Sequence, residues 1–315
     1  MAAEAGPISK VLIVVGNPTP CCSLRPKALL CSVSRFAYSV GIGLCSGLDA
    51  AMQTEAMPLV HKFKLVEAPA HESTFPKGAP WVRYHGNYKG LHIDLVLPGK
   101  DAVLGKFWWF HISNTWLSSY ILITPQVARR TSSRVDSVGT VSAALLTSFS
   151  IQTLKPDLII NAGTAGGFKA KGASIGDVFL ASDVSFHDRR IPIPVFDMYG
   201  IGARKTSAVP NILKELNLKI GKLSTGDSLD MSPQDEKVIL SNDATVKDME
   251  GAAVAYVADM FSTPAIFVKA VTDIVDGEKP TSEEFLQNLI AVTAALDLAV
   301  TKVVDFISGK RISDL

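Results

Sequence analysis

The sequence predicts an α/β fold in which a mostly parallel sheet is covered by helices on both sides. Three observations carry this. Short apolar runs such as Lys10–Val15, Leu91–Leu97 and Ala265–Val271 alternate with longer segments of helical period. A glycine-rich stretch, Gly163-Thr164-Ala165-Gly166-Gly167, follows the apolar run Leu158-Ile159-Ile160. Two carboxylates, Glu250 and Asp273, stand at a helix start and at a strand end, where α/β proteins place small ligands.

In chain order, Lys10–Val15 reads as a buried strand and Glu55–Phe63 as a short helix. Leu91–Leu97 is a strand stopped by Pro98-Gly99. Asp136–Leu154 is a long helix, with Leu145, Phe149 and Leu154 near helical spacing. Asp157–Asn161 is a strand closed by the glycine-rich stretch, and Asp177–Val184 is another. Val209–Leu216 is helical, Lys219–Ser224 a strand, Glu250–Phe261 a helix and Ala265–Val271 a strand. The last helix starts near Ser282 and carries Phe285, Leu289, Val292, Leu296, Val300 and Val303 along one face. Pro280 and Thr281, with Glu284 following, form a capping-box pattern at its start.

Two windows depart from this regularity. Residues 16–50 hold every cysteine (Cys21, Cys22, Cys31, Cys45) and a single acid, Asp49. Residues 106–134 hold Trp108, Trp109 and Trp116 and no acid. Neither shows clean alternation or helical period, and structureless loops of that length are uncommon inside a domain.

Bulk properties narrow the functional classes. The chain has 315 residues, 47% hydrophobic and 19% charged, with formal net charge +1. No basic field points to nucleic acid, and no apolar run is long enough to span a membrane. Val11–Val15 is too short for a signal sequence, so the expected location is intracellular, in the cytoplasm. The cysteine spacing fits no zinc site and a reducing compartment keeps the thiols free, so neither metal nor cofactor is expected.

Each candidate residue has a plain alternative. The glycine-rich stretch with Thr164 can bring amides and a hydroxyl to a ligand, or simply make a tight strand-to-helix turn. It is not a P-loop, since no Gly-Lys-Ser/Thr follows. Glu250 ahead of Gly251-Ala252-Ala253 is either a ligand-binding acid or a helix-start acid favoured by the dipole. Lys247 and Asp248 could be a surface ion pair of little consequence. Asp273 at its strand end is either functional or an Asx cap. Glu55 alone in a first helical turn is unremarkable. His187-Asp188-Arg189-Arg190 reads as a solvated loop or a subunit contact.

Several of these segments, in order, resemble the nucleoside phosphorylase/nucleosidase superfamily, and within it the plant-type 5′-methylthioadenosine nucleosidases. They are Ala51-Met52-Gln53-Thr54-Glu55-Ala56, Asn161 to Gly167, Ser224-Thr225-Gly226-Asp227-Ser228, Lys247-Asp248-Met249-Glu250-Gly251 and Ala270-Val271-Thr272-Asp273. The resemblance covers residues 8–15, 51–105 and 135–315. It implies a three-layer α/β/α sandwich with a central mixed, mostly parallel sheet, a homodimer, and hydrolysis of methylthioadenosine to adenine and methylthioribose in methionine salvage. By the same resemblance Glu55 activates the water and Asp273 protonates the purine. Met249 and Glu250, with Lys247 and Asp248 beside them, bind the ribose. Thr164 lines the sugar and water site, and Leu229 faces the purine. Related phosphorylases carry an arginine for phosphate in the strand before the glycine turn. Here Asn161 stands in that region, so water is the expected nucleophile, with phosphorolysis as the alternative.

The family pattern runs directly from the equivalent of Val15 to Ala51, and from Gly105 to Val135. The windows 16–50 and 106–134 are therefore read as insertions into one nucleosidase domain spanning 1–315, and as candidates for translated intervening sequence. Because the first lies between a core strand and Glu55, a catalytically impaired nucleoside-binding isoform is the non-enzymatic alternative.

Overall fold

Aliphatic and β-branched runs build a mixed ten-stranded sheet, and residues of helical period cover it. The computed structural model describes residues 6–15, 51–69, 75–76, 78–106 and 130–315. The four cysteines, the three tryptophans of the second window and most of both proposed insertions lie outside the described residues.

The strands are β1 (Lys10–Val15), β2 (Val66–Glu67), β3 (Val82–Tyr88), β4 (Leu91–Leu97), β5 (Lys100–Lys106), β6 (Arg130–Asp136), β7 (Leu158–Gly167), β8 (Val178–Phe186), β9 (Arg204–Lys205), β10 (Lys219–Thr225), β11 (Val246–Asp248) and β12 (Ala265–Ile274). The α-helices are α1 (Ala51–Phe63), α2 (Gly139–Leu154), α3 (Asp197–Ile201), α4 (Pro210–Leu216), α5 (Pro233–Ser241), α6 (Gly251–Met260) and α7 (Thr281–Ile307). The sheet order is β11-β10-β8-β12-β7-β1-β4-β3-β2, with β9 on β8. β1 runs parallel to both β4 and β7, and β12 runs parallel to β7. β8 lies antiparallel to β12, and β3 antiparallel to β4.

Alternation along β1 divides the core. Val11, Ile13 and Val15 pack on the α1 and α7 side, with Leu59, Phe63, Val300 and Val304. Leu12 and Val14 pack on the α2 and α6 side, with Leu146, Ile151, Val254 and Val257. This is the expected three-layer sandwich.

One pairing decides where the functional residues meet. β11 also pairs antiparallel with the end of β7, Val246 opposite Gly167 and Lys247 opposite Gly166. Strands β7, β12, β8, β10 and β11 therefore close into a ring, and the residues after β11 are drawn against the ends of β7 and β12.

Several expectations need correction. The glycine-rich stretch is not a strand-to-helix turn, because β7 continues through it to Gly167. Its glycines serve close packing. A Cβ on Gly166 would stand 2.5 Å from Val275 Cγ2 and 2.8 Å from Asp273 Oδ2, and one on Gly167 would stand 2.7 Å from Val271 Cγ1. Helix α1 begins at Ala51, so Glu55 sits in its second turn. Helix α2 presents Ala143, Leu146, Ile151 and Leu154 to the core, while Leu145 is exposed. The capping box of α7 does not form, since its N-cap is Pro280 and Glu284 turns inward. Residues 130–134 of the second window belong to β6, which pairs antiparallel with β5 in a separate two-stranded ribbon.

Candidate active site

Four elements deliver side chains to one cleft at the carboxyl ends of β7 and β12. It is lined by Thr164, Leu229, Met249, Glu250, Asp273 and Phe285, among others. Lys247 and Asp248 border it as well.

Glu250 is the N-cap residue of α6, yet its side chain does not cap that helix. It is buried, and Oε1 accepts from Gly139 N of α2 at 3.0 Å. The plain helix-start reading therefore fails. Burial, with the neighbouring charge of Asp248, pushes the Glu250 carboxyl well above the ordinary carboxylate range. Gly139 can make this contact because it takes φ +88°, and a Cβ there would stand 2.5 Å from Asp227 Oδ1. Asp227 in turn accepts from Thr140 N and Thr140 Oγ1, at 2.6 and 2.7 Å.

Asp273 lies inside β12 rather than beyond its end. Burial raises its carboxyl to about 6, against a hydrogen bond from Thr272 Oγ1 at 2.8 Å that favours the charged form. Glu55 does not line the cleft directly. It is fully buried one hydrogen bond behind it, with Thr164 Oγ1 donating to Glu55 Oε1 at 2.7 Å. Burial raises Glu55 to about 7, opposed by Thr164 and by the positive field of Lys269. Its second oxygen, Oε2, is buried with no hydrogen-bond partner among the described residues.

Lys247 and Asp248 are not a surface pair; both are buried. Lys247 Nζ donates to Ser228 O and Leu229 O at 2.7 and 3.0 Å, which fixes the segment that brings Leu229 to the cleft. Asp248 Oδ1 accepts from Thr225 Oγ1 at 2.6 Å, and Oδ2 accepts from Gly251 N at 2.8 Å. Lys269 Nζ stands 2.8 Å from Asp248 Oδ2, as an ion pair outside hydrogen-bond alignment. Met249, buried between Asp248 and Glu250, presents an apolar wall.

Sequence reasoning gave no site role to Lys269, Thr272, Phe285 or Glu284. Lys269 had a visible signal, a lysine in the middle of the apolar run Ala265–Val271. The reading of His187 as part of a solvated loop also fails. It is buried with Nδ1 3.1 Å from Ser224 Oγ, and desolvation lowers it to about 4. No cluster among the described residues is arranged to hold a metal ion, and no helix there is long and apolar enough to cross a membrane.

Fold and site together define an α/β protein whose acid-lined ligand cleft sits at the carboxyl edge of its sheet. A family model described as Phosphorylase superfamily matches residues 47–305. A 5′-methylthioadenosine nucleosidase of Arabidopsis thaliana is 60% identical over 265 residues, 84% of this chain and 88% of that protein. A 5′-methylthioadenosine/S-adenosylhomocysteine nucleosidase of the same plant is 58% identical, over 84% of this chain and 92% of its own length. The solved apo structure of an Arabidopsis thaliana 5′-methylthioadenosine nucleosidase superposes with a TM-score of 0.76 at 53% identity, covering 98% of this chain and all of that one. The chain belongs to the phosphorylase superfamily and, within it, to the 5′-methylthioadenosine nucleosidase family.

Proposed function

We propose that this chain hydrolyses the N-glycosidic bond of 5′-methylthioadenosine, releasing adenine and 5-methylthioribose for methionine salvage. One observation carries the reading beyond kinship. Glu250 and Asp273 line one cleft, Glu55 stands directly behind Thr164, and all three acids are buried with raised proton affinity.

The chemistry suits that arrangement. The C1′–N9 bond breaks with oxocarbenium character, and adenine leaves poorly as an anion. Asp273, raised to about 6 by burial, donates a proton to N7 from its protonated form so that the base departs neutral. Glu55 accepts a proton from the attacking water, whose oxygen bonds to C1′. Glu250 accepts hydrogen bonds from the ribose hydroxyls, and its ionised form favours the cationic sugar. Met249 packs on the sugar and Leu229 on the purine. Lys247 and Asp248 hold the substrate-binding segment, and Thr164 orients Glu55. Positioned proton transfers of this kind contribute about 10²–10⁴-fold each.

Hydrolysis is favoured over phosphorolysis because no arginine is among the described residues lining the cleft. Both nearby lysines already face protein oxygens. The test is adenine release from methylthioadenosine with and without phosphate. Equal rates support hydrolysis, and a strict phosphate requirement overturns it.

The reading extends to a cytoplasmic homodimer of one nucleosidase domain with insertions at 16–50 and 106–134. An exposed apolar segment between β8 and β9 supports the dimer, with Val195 80% and Met198 86% exposed. Sedimentation at micromolar concentration tests it, and a monomer removes it.

A further inference from the structure

Asp273 stands one residue past a break in the sheet. Between Val271 and Asp273 the register of β12 against β7 slips by one. Val271 faces Ala165 and Asp273 faces Gly166, and Thr272 has no partner in that ladder. A bulge re-aims side chains, but it leaves backbone groups that need other partners.

Those partners come from α7. Glu284 Oε2 accepts from Ile274 N at 2.9 Å. Asn288 Nδ2 donates to Thr272 O at 3.0 Å and to Glu284 O at 2.8 Å. Glu284 is buried, and Phe285 beside it lines the cleft. The two side chains therefore hold the backbone on either side of Asp273. The Thr272 hydroxyl, on a residue whose carbonyl Asn288 holds, donates to Asp273 Oδ1.

We propose that Glu284 and Asn288 are a positioning pair that fixes the bulge of β12 and so aims the Asp273 carboxyl at the departing base. The proposal rests on the reading of Asp273 as the acid that protonates adenine. A glutamate in the first turn of a helix ordinarily faces water and the helix dipole. This one is turned into the sheet and replaces a ladder acceptor. Its charge also favours the protonated form of Asp273, opposing Lys247 of β11, the cation that faces Asp273.

The test compares two substrates on the full chain. Methylthioadenosine needs its leaving base protonated. The 4-nitrophenyl glycoside of 5-methylthioribose does not, because nitrophenolate leaves as an anion. E284A and N288A are expected to slow adenine release by about 10- to 100-fold in kcat, with KM little changed. Nitrophenolate release is expected to stay near wild type. E284Q, which keeps an acceptor oxygen for Ile274 N–H, is expected to recover most of the loss. If E284A does not fold, N288A and E284Q carry the comparison. Variants that slow both substrates alike, or slow neither, overturn the positioning role while wild-type adenine release leaves the parent reading intact. A wild-type chain that releases no adenine removes both.

Discussion

The two flanks of the sheet bury carboxylates in opposite ways. On the β3–β4 flank, Asp94 is 1% exposed and accepts from Arg83 Nε and Nη2 at 2.8 and 2.6 Å, with Lys10 Nζ at 3.8 Å and His92 Nε2 at 3.6 Å. At the closed ring, Glu55, Glu250 and Asp273 receive only hydroxyl and amide hydrogen bonds among the described residues, while Lys269 pairs with Asp248 and Lys247 bonds backbone oxygens. A buried acid gripped by a guanidinium through two hydrogen bonds ties its strands together. A buried acid with no cation bonded directly to it holds its proton more tightly and can exchange it in a reaction. The contrast separates Asp94 from the three proposed catalytic acids by their bonded partners, since all four are buried.

Exchanging charge for its neutral isostere on each flank sharpens this comparison. D273N should lower kcat for adenine release by about 10²–10⁴-fold with Tm unchanged or raised. Wild-type-like turnover would break the assignment of the acid. D94N should do the reverse. It leaves Arg83 beside an uncharged partner and should cost about 3 kcal/mol in a urea titration, with kcat/KM preserved in the folded protein. A D94N protein as stable as wild type would mean that the buried pair is not what holds that flank.

The proposed insertions offer a test of the ring flank. A chain lacking 16–50 and 106–134 should release adenine up to about 10²-fold faster than the full chain if they displace Glu55. Equal rates would show that the fold absorbs them, as the slow growth of loop entropy with length allows. Transcript sequencing that finds only the long form would remove the intervening-sequence reading.

E250Q probes the cost of the ring's acids. Below the unfolded value of 4.5, Glu250 is protonated in both states and the variant should match wild type in stability. As pH rises from there, the unfolded chain releases the proton first. Wild-type stability then falls by about 1.4 kcal/mol per pH unit until the folded group ionises. Glutamine escapes that loss. E250Q should therefore melt several degrees higher at pH of about 8 and no higher at about 4, while turnover drops. Equal melting at both would place Glu250 in contact with water.

The smallest effect is the shape of the pH profile. Glu55 must be ionised and Asp273 protonated, yet their values stand at about 7 and about 6. Only a minority of molecules ever hold both, so kcat/KM should form a narrow bell centred between these values. A flat profile across that range would separate the two groups from the reaction.

Much of the fold could be read from the chain because local periodicity reports which face is buried. Leu91–Leu97 and Lys10–Val15 appear with the bounds expected of them. β11 was not read, because three residues carry no period, and neither was β3, whose Val82–Tyr88 is too polar to stand out. The site acids were identified by motif, but their plain readings were wrong in a consistent direction. Glu250, Asp248 and Lys247 look like surface charges in sequence and are buried in the fold.

Alone, the sequence determined the α/β alternation and the family, and it pointed to the three acids, because apolar period and motif spacing are local quantities. The tertiary structure decided that β11 closes onto β7, that Lys269 pairs with Asp248, and that Glu284 and Asn288 hold the bulge before Ile274. Proton affinity depends on who stands beside a carboxyl after water has been removed. Those neighbours come from segments 10 to more than 100 residues apart, such as Gly139 against Glu250.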